Sequence, residues 1–374
     1  MKSRQIFAGL SLLLVLSCTS SFAKYSGGTG EPNDPYRIAT PEDLNSIGLD
    51  PCDWDKHFLM TADINMVGIT GDSFNIIGDI NTDTPFSGVF DGNGHSIERF
   101  TYLAKESSPA SLFGFARGEH IIIKNLKLSD VNIAGDRWVG ALIGIIHGNG
   151  YIIGCSVDDG KVSGTDLVGG LVGCSLANIS DCYTNVEIRG SVAGGLIGCT
   201  TSSTERCFSV GSVRGGIEVG GLIGSNDRGG NVSNCYSLCS VEGDEFVGGL
   251  IGNTSQPVEN CFSAGAVDGN DWVGAFIGRS GLDIWKCFWD DSINPGLNGT
   301  GDGSDPNVIG LPTAQIQMRN TFADAGWDMV DVWDIGENQT YPFLRMHLPG
   351  DISKDGQTNL YDLAVLAQNW LSEE

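Results

Sequence analysis

The apolar residues of this chain recur in short runs that are bounded by glycine and show no helical periodicity. Short runs rich in Val, Ile and Leu between glycines are typical of β-strands joined by tight turns. The clearest run recurs six times, with starts 29, 25, 26, 28 and 26 residues apart. A repeat of about 26 residues therefore organises the centre of the chain. The six copies are Val139–Gly144, Val168–Gly173, Ala193–Gly198, Val219–Gly224, Val247–Gly252 and Val273–Gly278.

Cysteine repeats in step with this core, and an aromatic residue follows five of the six cysteines. One repeat cannot bury its own apolar side chains, so the repeats must stack. The sequence therefore predicts an all-β fold, a right-handed parallel β-helix of about eight coils spaced at the strand separation of about 4.8 Å. The cysteines are Cys155, Cys182, Cys207, Cys235, Cys261 and Cys287, and the aromatics are Tyr183, Phe208, Tyr236, Phe262 and Phe288.

Both ends of such a solenoid need a cover, because open sheet edges aggregate. We expect residues 24–84 to form an N-terminal cap, with a helix that begins at Thr40 and Pro41. Residues 85–300 form the predicted solenoid. Residues 301–348 form a C-terminal cap, in which Trp327, Trp333 and Tyr341 cover the last coil.

Residues 1–23 resemble a secretory signal peptide, with a basic start, an apolar stretch of about a dozen residues and a small-x-small cleavage pattern. An alternative is a lipoprotein signal in which Cys18 is the lipidated residue. The apolar stretch is too short to span a bilayer, and no later stretch is long enough. The chain is therefore predicted to be secreted or held at the cell surface, without a membrane span.

Charge narrows the range of partners. The chain carries 21 Lys and Arg against 46 Asp and Glu, and removal of residues 1–23 takes away two of the basic residues. A surface this acidic repels nucleic acid and anionic membranes, and it favours divalent cations. Glycine is abundant at 54 residues while proline is ordinary at 12, which argues against disorder and collagen and for many tight turns.

The C-terminus contains a twelve-residue pattern of oxygen ligands typical of a calcium loop. Glycine occupies its sixth position, and an amphipathic helix with Leu360, Leu363 and Trp370 on one face is predicted to follow. Residues 349–374 are therefore predicted to bind Ca²⁺, with a degenerate loop acting only as a terminal tag as the alternative. The proposed ligands are Asp351, Ser353, Asp355, Gln357 through its carbonyl, Asn359 and Asp362.

Two resemblances to known families rest on these motifs. The Val-Gly-Gly-Leu-Ile-Gly core over residues 85–290 is similar to the GLUG-motif repeats of bacterial secreted and surface proteins, which implies a β-solenoid in an adhesin-like context. The calcium motif resembles one half of a type I dockerin, which implies docking to a cohesin-like partner. Ser353 stands where Asn or Asp is usual, and only one copy of the motif is present. These departures put the docking in doubt more than the calcium.

Ten cysteines follow the predicted signal peptide. An oxidising compartment would allow disulfides, and adjacent coils would bring the Cα atoms close enough. Parallel side chains in register are, however, poorly aimed at each other. The cysteines are therefore predicted to be stacked, buried thiols, with disulfides as the alternative.

An acidic and aromatic ridge is predicted where the chain turns into each repeat core. Stacked coils would align carboxylates beside aromatic rings there, a combination that suits sugar rings or a cation. The alternative is a solvated corner whose aromatics pack on neighbouring coils. The possible ligand ridge comprises Trp138, Phe246, Trp272, Asp166, Glu245 and Asp271.

No catalytic constellation emerges from the sequence, and the five histidines are scattered. We therefore predict a non-catalytic, structural or adhesion-type binding protein whose ligand is an extracellular glycan or a surface protein. A polysaccharide lyase or glycoside hydrolase on a β-helix is the second hypothesis, by analogy of fold alone. A cohesin-docked component of an extracellular assembly is the third.

Overall fold

The short apolar runs form strands that wind around a common core. A computed structural model describes residues 24–104, 109–226, 229–281 and 283–345, apart from the side chain of residue 72. Strands account for 47% of it and helices for 7%, and parallel stacked sheets form a β-solenoid of about seven turns. The predicted all-β, parallel solenoid is confirmed.

Three parallel sheets form the walls of the solenoid, and the first, sheet 1, has ten strands. Two of these strands lie in the segment expected to form the N-terminal cap, so that segment begins the solenoid as well as covering it. The strands of sheet 1 are Tyr36–Ile38, His57–Met60, Val89–Asp91, Ile122–Lys124, Tyr151–Ile153, Asn178–Ser180, Thr204–Glu205, Val232–Ser233, Val258–Glu259 and Ile284–Trp285.

Sheet 2 has seven strands, and each of the last six begins at the fifth residue of a repeat core. The leucine before it, or Phe276 in the sixth copy, is fully buried, as the repeat predicts. The strands of sheet 2 are Phe113–Arg117, Ile143–His147, Val172–Ser175, Ile197–Thr200, Ile223–Asn226, Ile251–Thr254 and Ile277–Ser280.

Sheet 3 has sixteen strands and includes the longest ones. Its strands are Ile64–Asn65, Ser96–Glu98, Thr101–Leu103, Lys127–Ala134, Ser156–Ser163, Val168–Gly169, Tyr183–Gly190, Ala193–Gly194, Phe208–Gly215, Ile217–Gly220, Tyr236–Ser237, Ser240–Gly248, Phe262–Ser263, Val267–Gly274, Cys287–Asp290 and Val308–Leu311.

The glycines of the repeat core permit close contact between coils. A Cβ atom added to Gly195 would lie 1.8 Å from the carbonyl oxygen of Gly221 on the next coil. Buried hydroxyls donate hydrogen bonds to the carbonyls of these glycines. Thr184 Oγ1 donates to Gly195 O at 2.7 Å, and Ser209 Oγ donates to Gly221 O at 2.6 Å. The glycine and the hydroxyl together seal the corner without leaving a polar group unpaired.

The N-terminal segment starts as the sequence predicts. The helix Pro41–Ile47 has Thr40 as its N-cap, and Thr40 and Asp43 form a reciprocal capping box. Leu44 and Ile47 are fully buried against the first coils. Two short 3₁₀ turns, Pro51–Asp53 and Gly71–Ser73, complete the non-strand elements of this end.

The C-terminal segment covers the side of the solenoid as well as its end. After the short helices Thr313–Ile316 and Arg319–Asp324, an antiparallel pair forms between Trp333–Asp334 and Phe343–Leu344. The indole of Trp327 donates to Lys286 O in the last coil, but that of Trp333 donates to Asn234, two coils earlier. The expectation that these rings cover only the last coil is corrected, because they follow an apolar stripe that runs along the outside of sheet 3.

Candidate functional site

A sharp corner precedes the repeat core in each coil, and the residue at this corner has a left-handed backbone in five of the six copies. Such a conformation costs a non-glycine residue roughly 1–2 kcal/mol, so a corner of this kind favours glycine or asparagine. This chain instead places large or charged side chains there. They are Trp138, Leu167, Glu218, Phe246 and Trp272, with φ of 55°, 42°, 57°, 51° and 54°.

A second corner precedes the cysteines, or Leu126 in the first of these coils. It provides an internal comparison, since it has the same left-handed backbone. Five of its seven residues are Asn, Asp or Gly, the types that tolerate this conformation. The backbone requirement alone therefore does not explain the aromatic side chains at the first corner. The residues of the second corner are Asn125, Gly154, Asp181, Arg206, Asn234, Asn260 and Lys286.

Phe246 and Trp272 are neighbours at the first corner, as their spacing of 26 residues predicts. Their ring centroids lie 5.8 Å apart with the planes inclined at 50°. Trp272 is 39% exposed and Phe246 is half-buried, and the guanidinium of Arg279 lies 5.5 Å from the Phe246 centroid. The pair thus presents aromatic surface to solvent at the edge between sheets 2 and 3.

Carboxylates flank this pair in register. Glu245 lies opposite Asp271 on the neighbouring strand, and each directly precedes one of the two aromatic residues. Asp271 is exposed and Glu245 is half-buried. The structure therefore brings together four of the six residues proposed for the ridge: Phe246, Trp272, Glu245 and Asp271.

Trp138 and Asp166 lie apart from these four. Three intervening coils place Leu167, Val192 and Glu218 at the corner, so Trp138 is four strand spacings, about 19 Å, from Phe246. Trp138 is half-buried and packs beside Phe115, Ile145 and Cys174. The predicted ridge is consequently divided into two separate sites, because the residue type at the corner changes from coil to coil.

Arg137 contacts both Trp138 and Asp166. Its guanidinium lies 4.5 Å from the Trp138 ring centroid and forms an ion pair of 3.1 Å with Asp166 on the next coil. This ion pair occupies the carboxylate of Asp166. The four residues around Phe246 and Trp272 are therefore the better candidate for a ligand site.

The predicted calcium ligands, Asp351, Ser353, Asp355, Gln357, Asn359 and Asp362, lie outside the described residues. Within the described ranges, no group of three or more His, Cys, Asp or Glu side chains could hold a metal ion. The calcium loop thus stays a prediction from the sequence.

The repeating cysteines are buried free thiols stacked in one row, as predicted. The backbone N–H of Cys155 donates to the Sγ of Cys182 at 3.3 Å, and Cys235 N donates to Cys261 Sγ at the same distance. Burial raises the pKa of Cys155, Cys182, Cys235 and Cys261 well above the ordinary thiol value. Because only the thiolate is nucleophilic, these thiols serve packing and not chemistry.

The aromatic residues that follow the cysteines form a second surface feature, which the sequence shows only as a repeat. The aromatics that follow the cysteines stack outside sheet 3, with centroids 4.9, 4.7 and 5.0 Å apart and planes within 8° of parallel. We call this row the aromatic ladder. Period-2 alternation places it outside, since each preceding cysteine faces the core. Its rungs are Tyr183, Phe208, Tyr236 and Phe262, and Phe288 follows on the last coil.

A groove of about 760 Å³ lies on sheet 3, further along the chain from the ladder residues. Lys161, Arg189 and Arg214 line it, and the three are exposed. Lys161 pairs with Glu187 at 3.3 Å and Arg214 with Glu242 at 2.5 Å, while Arg189 forms no ion pair with any described residue. Glu187, Glu242 and Asp268 line the same groove, so its cationic and anionic side chains are equal in number.

Comparisons with known proteins show the fold. No family model matches the chain, so the GLUG and dockerin resemblances stay predictions. The chain is 32% identical over 168 residues to halomucin of Haloquadratum walsbyi, which covers 42% of this chain. It is 29% identical over 130 residues, 34% of this chain, to a protein of Evansella cellulosilytica named "Putative Gly-rich membrane protein". These matches span only 2% and 14% of the two relatives.

A solved structure shares the fold. The protein described as a "putative immunoglobulin A1 protease" from Bacteroides ovatus superposes with a TM-score of 0.57, at 21% sequence identity, over 86% of this chain and 96% of that one. At this identity the likeness concerns the β-solenoid alone. Within the described part of the chain, the helices are all too short or too polar to cross a membrane.

Proposed function

We propose that this protein is a secreted or cell-surface binding protein of the adhesion type, and that it binds an extracellular glycan without turning it over. The proposed site is the corner formed by Phe246, Trp272, Glu245 and Asp271. Aromatic surface packs against the apolar face of a sugar ring, and carboxylates accept hydrogen bonds from its hydroxyls. The names of the two relatives, a mucin-like name and a membrane protein, support the surface location.

One observation carries the proposal: aromatic residues occupy corner positions whose left-handed backbone they strain. Glycine or asparagine would cost less there, and 39% of Trp272 remains exposed to solvent. A solvent-facing aromatic pair in an unfavourable backbone conformation is better explained by a role in recognition than by a contribution to stability.

The lyase or hydrolase alternative has fold-level analogy as its only support. The cohesin-docked alternative depends on the calcium segment, for which we propose one Ca²⁺ held by Asp351, Asp355, Asn359 and Asp362 with Ser353 and the Gln357 carbonyl. A cohesin-like partner would recognise that segment, independently of the corner site.

Replacement of both corner aromatics by asparagine tests the proposal. Phe246→Asn with Trp272→Asn relieves backbone strain, so the thermal midpoint should stay within a few degrees of wild type while binding on a glycan array is lost. Glu218→Asn, at the same corner in the preceding coil, is the matched control and should bind as wild type does.

Unchanged glycan binding by the double variant would rule out this corner as the site. Parallel incubation of each bound glycan with the protein tests for turnover. Release of shortened products would favour the lyase or hydrolase alternative instead.

A further inference from the structure

The aromatic ladder is covered along only part of its length. Tyr236, Phe262 and Phe288 are 5%, 0% and 4% exposed, because Phe322, Trp327 and Trp333 lie over them. Tyr183 and Phe208 continue the same ladder and remain half-buried. Two rungs of an otherwise covered apolar row are thus only partly covered. Phe208 and Leu238 pack against the edge of the C-terminal cluster, and Val210 beside them is also half-buried.

The covered rungs show which chemistry fits the ladder. Each inner ring stacks on a ring at both faces, and Tyr183, the first rung, stacks on Phe208 at one face and lies opposite Ser156 at the other, so the ring edges point outward. Trp333 contacts Tyr236 and Phe262 with tilted rings, at 5.9 and 6.1 Å between centroids. A sugar ring, which packs on an aromatic face, does not suit these edges, whereas an indole or an apolar helix does.

The described chain ends beside the partly covered rungs. Arg345 N donates to Val332 O at 2.9 Å, and the Arg345 guanidinium donates to Trp333 O at 3.3 Å. Trp333 covers Tyr236, and Phe208 is only one strand spacing, about 4.8 Å, further along the ladder. The segment that covers the ladder therefore advances from the last coil toward the partly covered rungs before residue 346.

We propose that residues 346–374 continue this cover and that the apolar face of their predicted helix packs on Tyr183 and Phe208. Leu360, Leu363 and Trp370 would supply the apolar contacts. The 15 residues from Arg345 to Leu360 can span up to about 50 Å, far more than the two strand spacings, roughly 10 Å, between Tyr236 and Tyr183. A tether this short gives an effective concentration of the order of millimolar.

Hydroxyl-radical footprinting of the full chain, with calcium present, tests the proposal. Oxidation of Tyr183 and Phe208 should be slow in wild type and several-fold faster after Leu363→Ser with Trp370→Ser. Tyr151, which is 47% exposed, serves as the internal reference and should not change. Gln368→Ser with Asn369→Ser, on the polar face of the predicted helix, is the matched control and should retain the protection.

Equal oxidation of both rungs in wild type and in the apolar-face variant would overturn the proposal. Protection that weakens on dilution would also overturn it, because an intramolecular contact is independent of concentration whereas contact with a second copy is not. Neither result depends on glycan binding at the corner, which lies in different residues.

Discussion

At the scale of single residues, the chain places cysteines among the Ile, Leu, Val and Phe side chains that fill the inside of the coils. The cysteines behave as small apolar groups, and each donates its S–H to a nearby backbone carbonyl, as Cys182 does to Ser180 O at 3.1 Å. Sequence spacing predicted this burial because two repeating rows shared one period. It could not predict the row of buried hydroxyls that includes Thr184 and Ser209, since Ser and Thr are common at exposed positions too.

Thiol reactivity checks this description of the cysteines. Burial raises the pKa of the stacked thiols, so in the folded protein at pH 8 they stay protonated and unreactive toward a thiol-specific reagent. Cys52 is exposed and should react at once as the internal control. The stacked thiols should react only after unfolding in guanidinium. If they remain unreactive in guanidinium until a reductant is added, they are disulfide-bonded and the assignment as free thiols is wrong.

At the scale of elements, the repeat core links two sheets. Val247 is the last residue but one of a strand of sheet 3, Leu250 fills the corner and Ile251 begins a strand of sheet 2, and all three are fully buried. Neighbouring coils repeat this arrangement in register, as the pairings Val219↔Val247↔Val273 show. Because each coil covers the next, damage at one corner should propagate to its neighbours.

Leu250→Asp should therefore unfold several coils together. It buries a carboxylate with no partner, which costs several kcal/mol, whereas Asp244→Asn at an exposed corner four residues before the glycine pair should change stability by less than about 0.5 kcal/mol. Urea unfolding followed by circular dichroism measures both. Equal losses in the two variants would contradict the register of the repeat.

The same elements show which contacts the sequence predicts and which it does not. A spacing of 26 residues predicted that Phe246 and Trp272 are neighbours, and the structure confirms it. It did not predict that the C-terminal rings lie along the side of the solenoid, because a repeat specifies contacts between coils but not the path of a segment outside the repeat. Local sequence alone places Trp138 in the ridge, but three intervening coils separate it from Phe246 and Trp272.

At the scale of the whole molecule, the acidic solenoid has two distinct outer features. One is the solvent-facing aromatic pair at a corner, and the other is the aromatic ladder on sheet 3. The C-terminal segment is fixed to the solenoid by Asp290, a fully buried carboxylate that accepts from Thr313 Oγ1 and Tyr341 Oη, both at 2.7 Å. The predicted calcium loop follows this attachment in the sequence and lies outside the described residues.

Calcium binding by the full chain is the remaining prediction at this scale. The ligand spacing from Asp351 to Asp362 predicts one Ca²⁺ per chain, and the ion should order the loop and so favour the helix that follows. Isothermal calorimetry should detect one site in wild type and none after Asp351→Ala with Asp362→Ala. Glu373→Ala with Glu374→Ala removes the same charge from the same segment outside the loop, and it should leave binding intact. Equal loss in both double variants would mean that general negative charge, not the loop, attracts calcium, and absence of calcium heat in wild type would exclude the site.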